Sequence, residues 1–131
     1  MLLDTSGLLC LHHKAEPMHD TARALVLPST NLFTHNYVLA EFVALSDARR
    51  LPRKNALDFV VEIAANPRVS LVWVERGLHN RAMALLLAQL DKSYTLCDAI
   101  SIILMRERGI SEALSSDHHF EQAGFTRLLA T

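Results

Sequence analysis

Short β-type runs alternate with helical apolar stripes from one end of this chain to the other, and that alternation admits few folds. Residues 1–3 are apolar and lead to Asp4, after which Thr5, Ser6 and Gly7 open a short helix running on through residues 8–13. Pro17 suits the first turn of a second helix over residues 19–27, with Ala22, Leu25 and Val26 at helical spacing, and Pro28 ends it. Residues 31–35 form a partly apolar run between polar residues, a second strand. Over residues 36–50, Val38, Leu39, Phe42, Val43 and Leu45 make a wide apolar stripe, which predicts a strong helix. Pro52 starts another helix, carrying Leu57, Val60, Val61 and Ala64, and Asn66-Pro67 stops it. Residues 69–74 are continuous and β-rich, so they read as a buried third strand. Helices are predicted over 75–90 and 95–108, the latter closed by Gly109. Residues 111–115 are a fourth strand, 117–123 a helical turn ended by Gly124, and 125–129 a last strand. The expected architecture is α/β: three α/β/α layers around a central parallel sheet of about five strands.

At 131 residues the chain is long enough for one core, and residues 1–131 are read as a single domain. Hydrophobic residues make up 50% of it and the mean hydropathy is +0.17, which points toward a buried self-interface, hence a homodimer. The formal charge of −1 means that any nucleic-acid footprint must be local. Cys10 and Cys97 lie in apolar helical patterns without C-x-x-C spacing. They read as buried free thiols in a reducing compartment. No signal peptide and no membrane span is expected, so the chain is assigned to the cytoplasm.

Four acids stand out by position. Asp4 ends the first strand, Glu41 sits mid-helix, Asp98 lies in the first turn of its helix, and Asp117 follows the fourth strand. Each Asp also has a plain reading as a helix cap, most directly Asp98, because Thr95-x-x-Asp98 resembles a capping box. Glu41 resists such a reading, since its neighbours at helical spacing are Tyr37, Val38, Ala44 and Leu45, an apolar face. In a parallel sheet the carboxyl ends of the strands share one edge with the following helix N-termini, so the four can converge. Several carboxylates in one site repel one another, and a divalent cation removes that cost. All-oxygen ligation, with no clustered His or Cys, favours Mg²⁺ or Mn²⁺ over zinc. The adjacent pairs His12-His13 and His118-His119 are expected to diverge, as neighbours on a helix do.

With these residues placed, the chain resembles the PIN domain family, in particular the toxin ribonucleases of bacterial toxin–antitoxin pairs. The matching pieces are Asp4-Thr5-Ser6, Ala40-Glu41, the run Leu96-Cys97-Asp98-Ala99-Ile100-Ser101, and the long run from Leu114 to Phe125. Together they span almost the full length. The resemblance implies a five-stranded parallel sheet, a four-acid site and metal-dependent hydrolysis of RNA phosphodiester bonds. It implies Asp4, Glu41, Asp98 and Asp117 as the catalytic, metal-binding acids, with Ser6 and Ser116 as hydroxyls that orient them. It further implies an RNA substrate and a small antitoxin protein as partners. The chain departs from the pattern in its short first strand and in Ser116, where many relatives carry another small residue or Thr. Arg49, Arg50, Arg53 and Lys54 form the densest basic cluster for backbone contact, with Arg106 and Arg108 as another.

Two other classes are weighed against this reading. A PIN-like module that binds RNA or protein without cutting, or an RNA-processing nuclease without a toxin role, would share the fold. An unrelated phosphohydrolase of small substrates is disfavoured, because the first strand lacks D-x-D and no Gly-rich phosphate loop occurs.

Overall fold

The structure, a computed structural model, describes residues 1–130. Its elements in chain order are β1 (Leu2–Leu3), α1 (Thr5–His12), α2 (His19–Val26), β2 (Leu32–His35), α3 (Asn36–Ala48), α4 (Arg53–Ala65), β3 (Val69–Val72), α5 (Arg76–Ala88), α6 (Leu96–Arg108), β4 (Glu112–Leu114), α7 (His119–Gln122) and β5 (Thr126–Arg127). The strands form one sheet of five in the order β3-β2-β1-β4-β5, with every pairing parallel. The predicted α/β architecture holds. The chain builds outward from β1 through β2 to β3, then returns to lay β4 on the other side of β1. That reversal is a topological switch point, and it opens a crevice at the carboxyl ends of the two central strands.

Alternation along the strands supplies the two cores. Leu3, Leu32 and Leu114 point into one cluster, shared with Leu8, Val38 and Phe42 of the helices α1 and α3. Leu2, Phe33 and Ala113 point the other way and meet Ala82 of α5 and Ile100, Ile103 and Leu104 of α6. Among the described residues no helix is long and apolar enough to cross a membrane.

Two features fix how closely the helices approach the site. A Cβ on Gly7 would lie 2.0 Å from the backbone oxygen of Leu114, so glycine is what lets α1 rest against the end of β4. His35, fully buried at the end of β2, ties α3 to α6. Its Nδ1 accepts from the Val38 N–H, so Nε2 carries the ring hydrogen and donates to Ser101 Oγ at 2.8 Å. Burial pushes its pKa down to about 3, which keeps the ring neutral.

The expected third strand differs in extent and in burial. It stops at Val72 and lies at the open edge of the sheet, where Ser70 is exposed and Trp73, just beyond it, is 67% exposed. A continuous apolar run suits either a central strand or an edge covered on one face, and only the strand order distinguishes them. The last strand also shortens, to Thr126–Arg127.

Candidate metal centre

Asp4 follows β1 at the centre of the sheet and occupies the N-cap position of α1, yet its side chain makes no capping bond. The carboxylate is instead held by Ser115 Oγ, which donates to Asp4 Oδ2 at 2.8 Å. Ser115 follows β4, so the bond spans the switch point. Ser115 Oγ in turn accepts the Asp117 N–H at 3.0 Å and stands 3.3 Å from Ser6 Oγ. With its own hydrogen committed to Asp4, Ser115 receives the hydrogen of Ser6, and Ser6 accepts the Ser116 N–H at 3.0 Å. The relay therefore runs from the Ser116 backbone through Ser6 and Ser115 to Asp4.

Burial pushes the Asp4 pKa up to about 7, with the Asp98 and Glu41 charges adding to the rise. The hydrogen bonds from Ser115 and from the Thr5 backbone oppose it. Glu41 Oε1 accepts from Thr5 Oγ1 at 2.6 Å, so consecutive residues serve the two acids. Glu41 is not buried on the apolar face as its neighbours suggested. It is exposed, at the mouth of a groove of about 300 Å³ lined by Asp4, Thr5, Ser6, Glu41, Leu45, Ser116 and Asp117. A larger concavity of about 410 Å³ lies at the opposite, amino ends of the strands, lined by Met1, Asn31, Gly109 and Glu112 among others. It brings together no comparable group of acids.

Asp98 is the helix cap that its spacing predicts. It forms the capping box with Thr95, the Thr95 N–H donating to Asp98 Oδ2 at 2.9 Å and the Asp98 N–H to Thr95 Oγ1 at 3.0 Å. It also lies close enough to Asp4 for its charge to be felt there. Asp117 Oδ1 accepts the His119 N–H at 2.9 Å, a local turn that aims the carboxylate at the groove.

The structure thus brings the four predicted acids to one edge of the sheet. Of the two predicted orienting hydroxyls, Ser6 lies in the relay. Ser116 contributes its backbone N–H, and the hydroxyl that holds Asp4 is that of its neighbour Ser115. The expected absence of Cys and His is also overturned. Cys97 lies with Asp4 and Glu41. Its thiol is pushed well above the ordinary range, by burial first and then by Glu41, Asp4 and Asp98, so it stays protonated. His119 Nδ1 is 2.7 Å from Asp98 Oδ2 and 3.3 Å from Asp117 Oδ1, and its ring lies 4.6 Å from that of His118, so the pair does not diverge. Three of the four cations in the basic cluster are spent on ion pairs, Arg49 with Glu16, Arg53 with Asp47 and Lys54 with Asp58.

The residues present fit a divalent cation. Among the described residues no Lys or Arg pairs with Asp4, Glu41 or Asp98. Asp4 is 5% exposed beside two further carboxylates, an arrangement that is expensive while all are ionised and unscreened. A hard dication with oxygen preference relieves it.

Comparison with known proteins gives one consistent result. The PIN domain family matches over residues 1–126. The 23S rRNA-specific endonuclease VapC20 of Mycobacterium tuberculosis, in sequences from two strains, is 28% identical over 129 residues, covering 98% of this chain and 97% of that protein. The crystal structure of the same VapC20, described as a Sarcin-Ricin loop cleaving toxin, superposes with a TM-score of 0.85 at 28% identity, covering 95% of each chain.

Proposed function

This chain belongs to the PIN domain family, and from that membership we propose that it is a metal-dependent endoribonuclease, the toxin of a toxin–antitoxin pair. The observation that carries the reading is Asp4: buried, making no capping bond, facing two other carboxylates, and placed where the sheet changes direction. Its similarity to an rRNA endonuclease over nearly the full length supports RNA as the substrate class.

In this reading Asp4, Glu41, Asp98 and Asp117 would hold Mg²⁺ or Mn²⁺, with Glu41 at the groove mouth. Such an ion would supply charge neutralisation for the phosphate and make water more acidic. The chain's own residues do the rest. Ser6 and Ser115 fix the rotamer of Asp4. Thr5 fixes Glu41, which is placed to accept a proton from water entering the groove. The Cys97 thiol, buried beside Asp4 and Glu41, stays neutral and does not compete as a nucleophile. Water adds across the P–O bond, leaving a 5′-phosphate on one fragment and a 3′-hydroxyl on the other.

The partners follow from the same surface. An acidic groove open to solvent suits an antitoxin segment that inserts a cationic side chain. Val61, Trp73, Leu87 and Leu90 are 67%, 67%, 66% and 80% exposed, which supports association into a homodimer. The free cysteines suit the reducing cytoplasm.

The test is cleavage of structured RNA by purified protein. Activity is expected with Mg²⁺ or Mn²⁺, is lost in EDTA, and falls at least about 100-fold in Asp98→Asn. Cleavage that survives EDTA, or undiminished activity in Asp98→Asn, overturns the reading. Intact protein that binds no divalent ion would instead be a binding module.

A further inference from the structure

The histidine pair beside the groove has chemistry that an all-oxygen centre does not need. Asp117, His118 and His119 offer one ligand atom each within 4.8 Å of one another. Asp117 Oδ1 lies 3.7 Å from His118 Nδ1 and 3.3 Å from His119 Nδ1, and Asp98 Oδ2 lies 2.7 Å from that same His119 nitrogen. A tetrahedral ion with bonds of about 2.0–2.1 Å holds its ligand atoms about 3.3 Å apart. Asp117 Oδ1 lies near that spacing from both histidine nitrogens, so Asp117, His118 and His119 present three ligand atoms to one ion.

We propose that Asp117, His118 and His119 form a site for a borderline-soft transition-metal ion, of which Zn²⁺ is the type, on the rim of the acidic groove, with solvent completing the coordination.

The ring of His119 is already oriented for it. Ser93 Oγ lies 3.0 Å from Nε2, and Tyr94 packs edge-on with its centroid 5.6 Å away. Nδ1–H donates to Asp98; moving that hydrogen to Nε2, where Ser93 accepts it, leaves Nδ1 as the ligand, the arrangement in which an outer partner fixes the tautomer of a metal-binding histidine. His118 is exposed, 63% at the side chain, and turns toward the ion at little cost. Two imidazoles with one carboxylate discriminate by donor type: Mg²⁺ prefers oxygen and retains its waters, whereas Zn²⁺ and Co²⁺ bind imidazole well. An ion here borrows the Asp117 carboxylate from the groove, so a soft metal would compete with the hard one for that ligand.

The inference rests on the geometry of the pair and not on the nuclease reading, and its test reads no cleavage. Co²⁺ serves as the probe, added to the metal-free protein. A visible ligand-field band with the intensity of a four- or five-coordinate centre is expected at one ion per chain. Equimolar Zn²⁺ abolishes it and millimolar Mg²⁺ does not. The band persists in Asp4→Asn. In His118→Ala, whose exposed side chain leaves the melting temperature unchanged, Co²⁺ affinity falls beyond the roughly 10–100-fold that loss of an outer partner costs. His119→Ala behaves likewise. Unchanged affinity in His118→Ala, a band lost only in Asp4→Asn, or no Co²⁺ bound at all would each overturn it. In the last case the close approach of His119 to Asp98 is a hydrogen bond and nothing more.

Discussion

Ser115 Oγ donates to Asp4 Oδ2 across 2.8 Å, joining two residues 111 positions apart in the chain. Each follows one of the two strands that flank the switch point, so the bond clasps the crevice at its base. The same oxygen takes the Asp117 N–H, which makes one hydroxyl the junction of two of the four acids.

Removing that hydroxyl should therefore cost more than one contact. Ser115→Ala strands the Asp117 N–H and frees Asp4 to rotate. Stability is expected to fall by about 1–3 kcal/mol, read by denaturant melts. RNA cleavage should drop about 10–100-fold, as when the outer partner of a metal ligand is lost. Ser116→Ala is the control: its side chain is exposed and only its backbone enters the relay, so stability should stay within about 0.5 kcal/mol.

Asp4 also sets a pH dependence whose sign is defined. Its folded pKa is raised from 3.8 to about 7, so the metal-free folded state holds a proton that the unfolded chain has released across that window. This contribution to stability is fully present below 3.8 and is lost as pH rises through about 7. Wild type minus Asp4→Asn, compared by urea denaturation in EDTA, should show stability declining with pH across the window. Protons and Mg²⁺ compete for the same carboxylate, so Mg²⁺ affinity measured by calorimetry should rise with pH until about 7.

His35 acts in the opposite sense. Its folded pKa is lowered from 6.5 to about 3, so its contribution is fully present above 6.5 and is lost as pH falls toward 3. The ring proton resonances of His35 should not titrate between pH 8 and 5. Ser101→Ala leaves a buried Nε2–H without its acceptor and should cost about 1–3 kcal/mol by thermal or urea melts.

Two glycines make a matched pair. Gly7→Ala drives a Cβ to within 2.0 Å of a backbone oxygen that cannot yield, and should destabilise by about 3 kcal/mol or more. Gly77, in the first turn of α5, has nothing within 4 Å of the equivalent position. Gly77→Ala should stabilise by up to about 1 kcal/mol through helix propensity. Melting temperatures of the two variants, moving in opposite directions, check both.

Layering and element order were legible in the sequence because periods of two and 3.6 survive without any knowledge of neighbours. The convergence of acids was legible from Asp4 and Asp117 following strands and from Glu41 and Asp98 lying on helices beside the sheet. What misled was local reasoning applied to residues whose surroundings are set elsewhere. Glu41 was read as buried because Val38 and Leu45 flank it at helical spacing. The buried stripe of α3 runs instead through Val38, Leu39, Phe42 and Ser46, and Glu41 falls at its margin, over the open end of the sheet. Trp73 extends a β-rich run, but the sheet ends there. Ser115 resembles any small residue closing a strand, and only the β1–β4 pairing shows what it touches. His118 and His119 were expected to diverge as helical neighbours, but α7 begins at His119 and His118 lies outside it.

The pairing of β1 with β4 has a consequence for synthesis. Asp4 leaves the ribosome well before its partners, and 111 further residues must be made before Ser115 follows it out of the exit tunnel. Until then the first carboxylate has neither its clasp nor its companions, and a nascent or prematurely terminated product carries no assembled centre. A cell translating this message meets the assembled centre only after Asp117 has emerged.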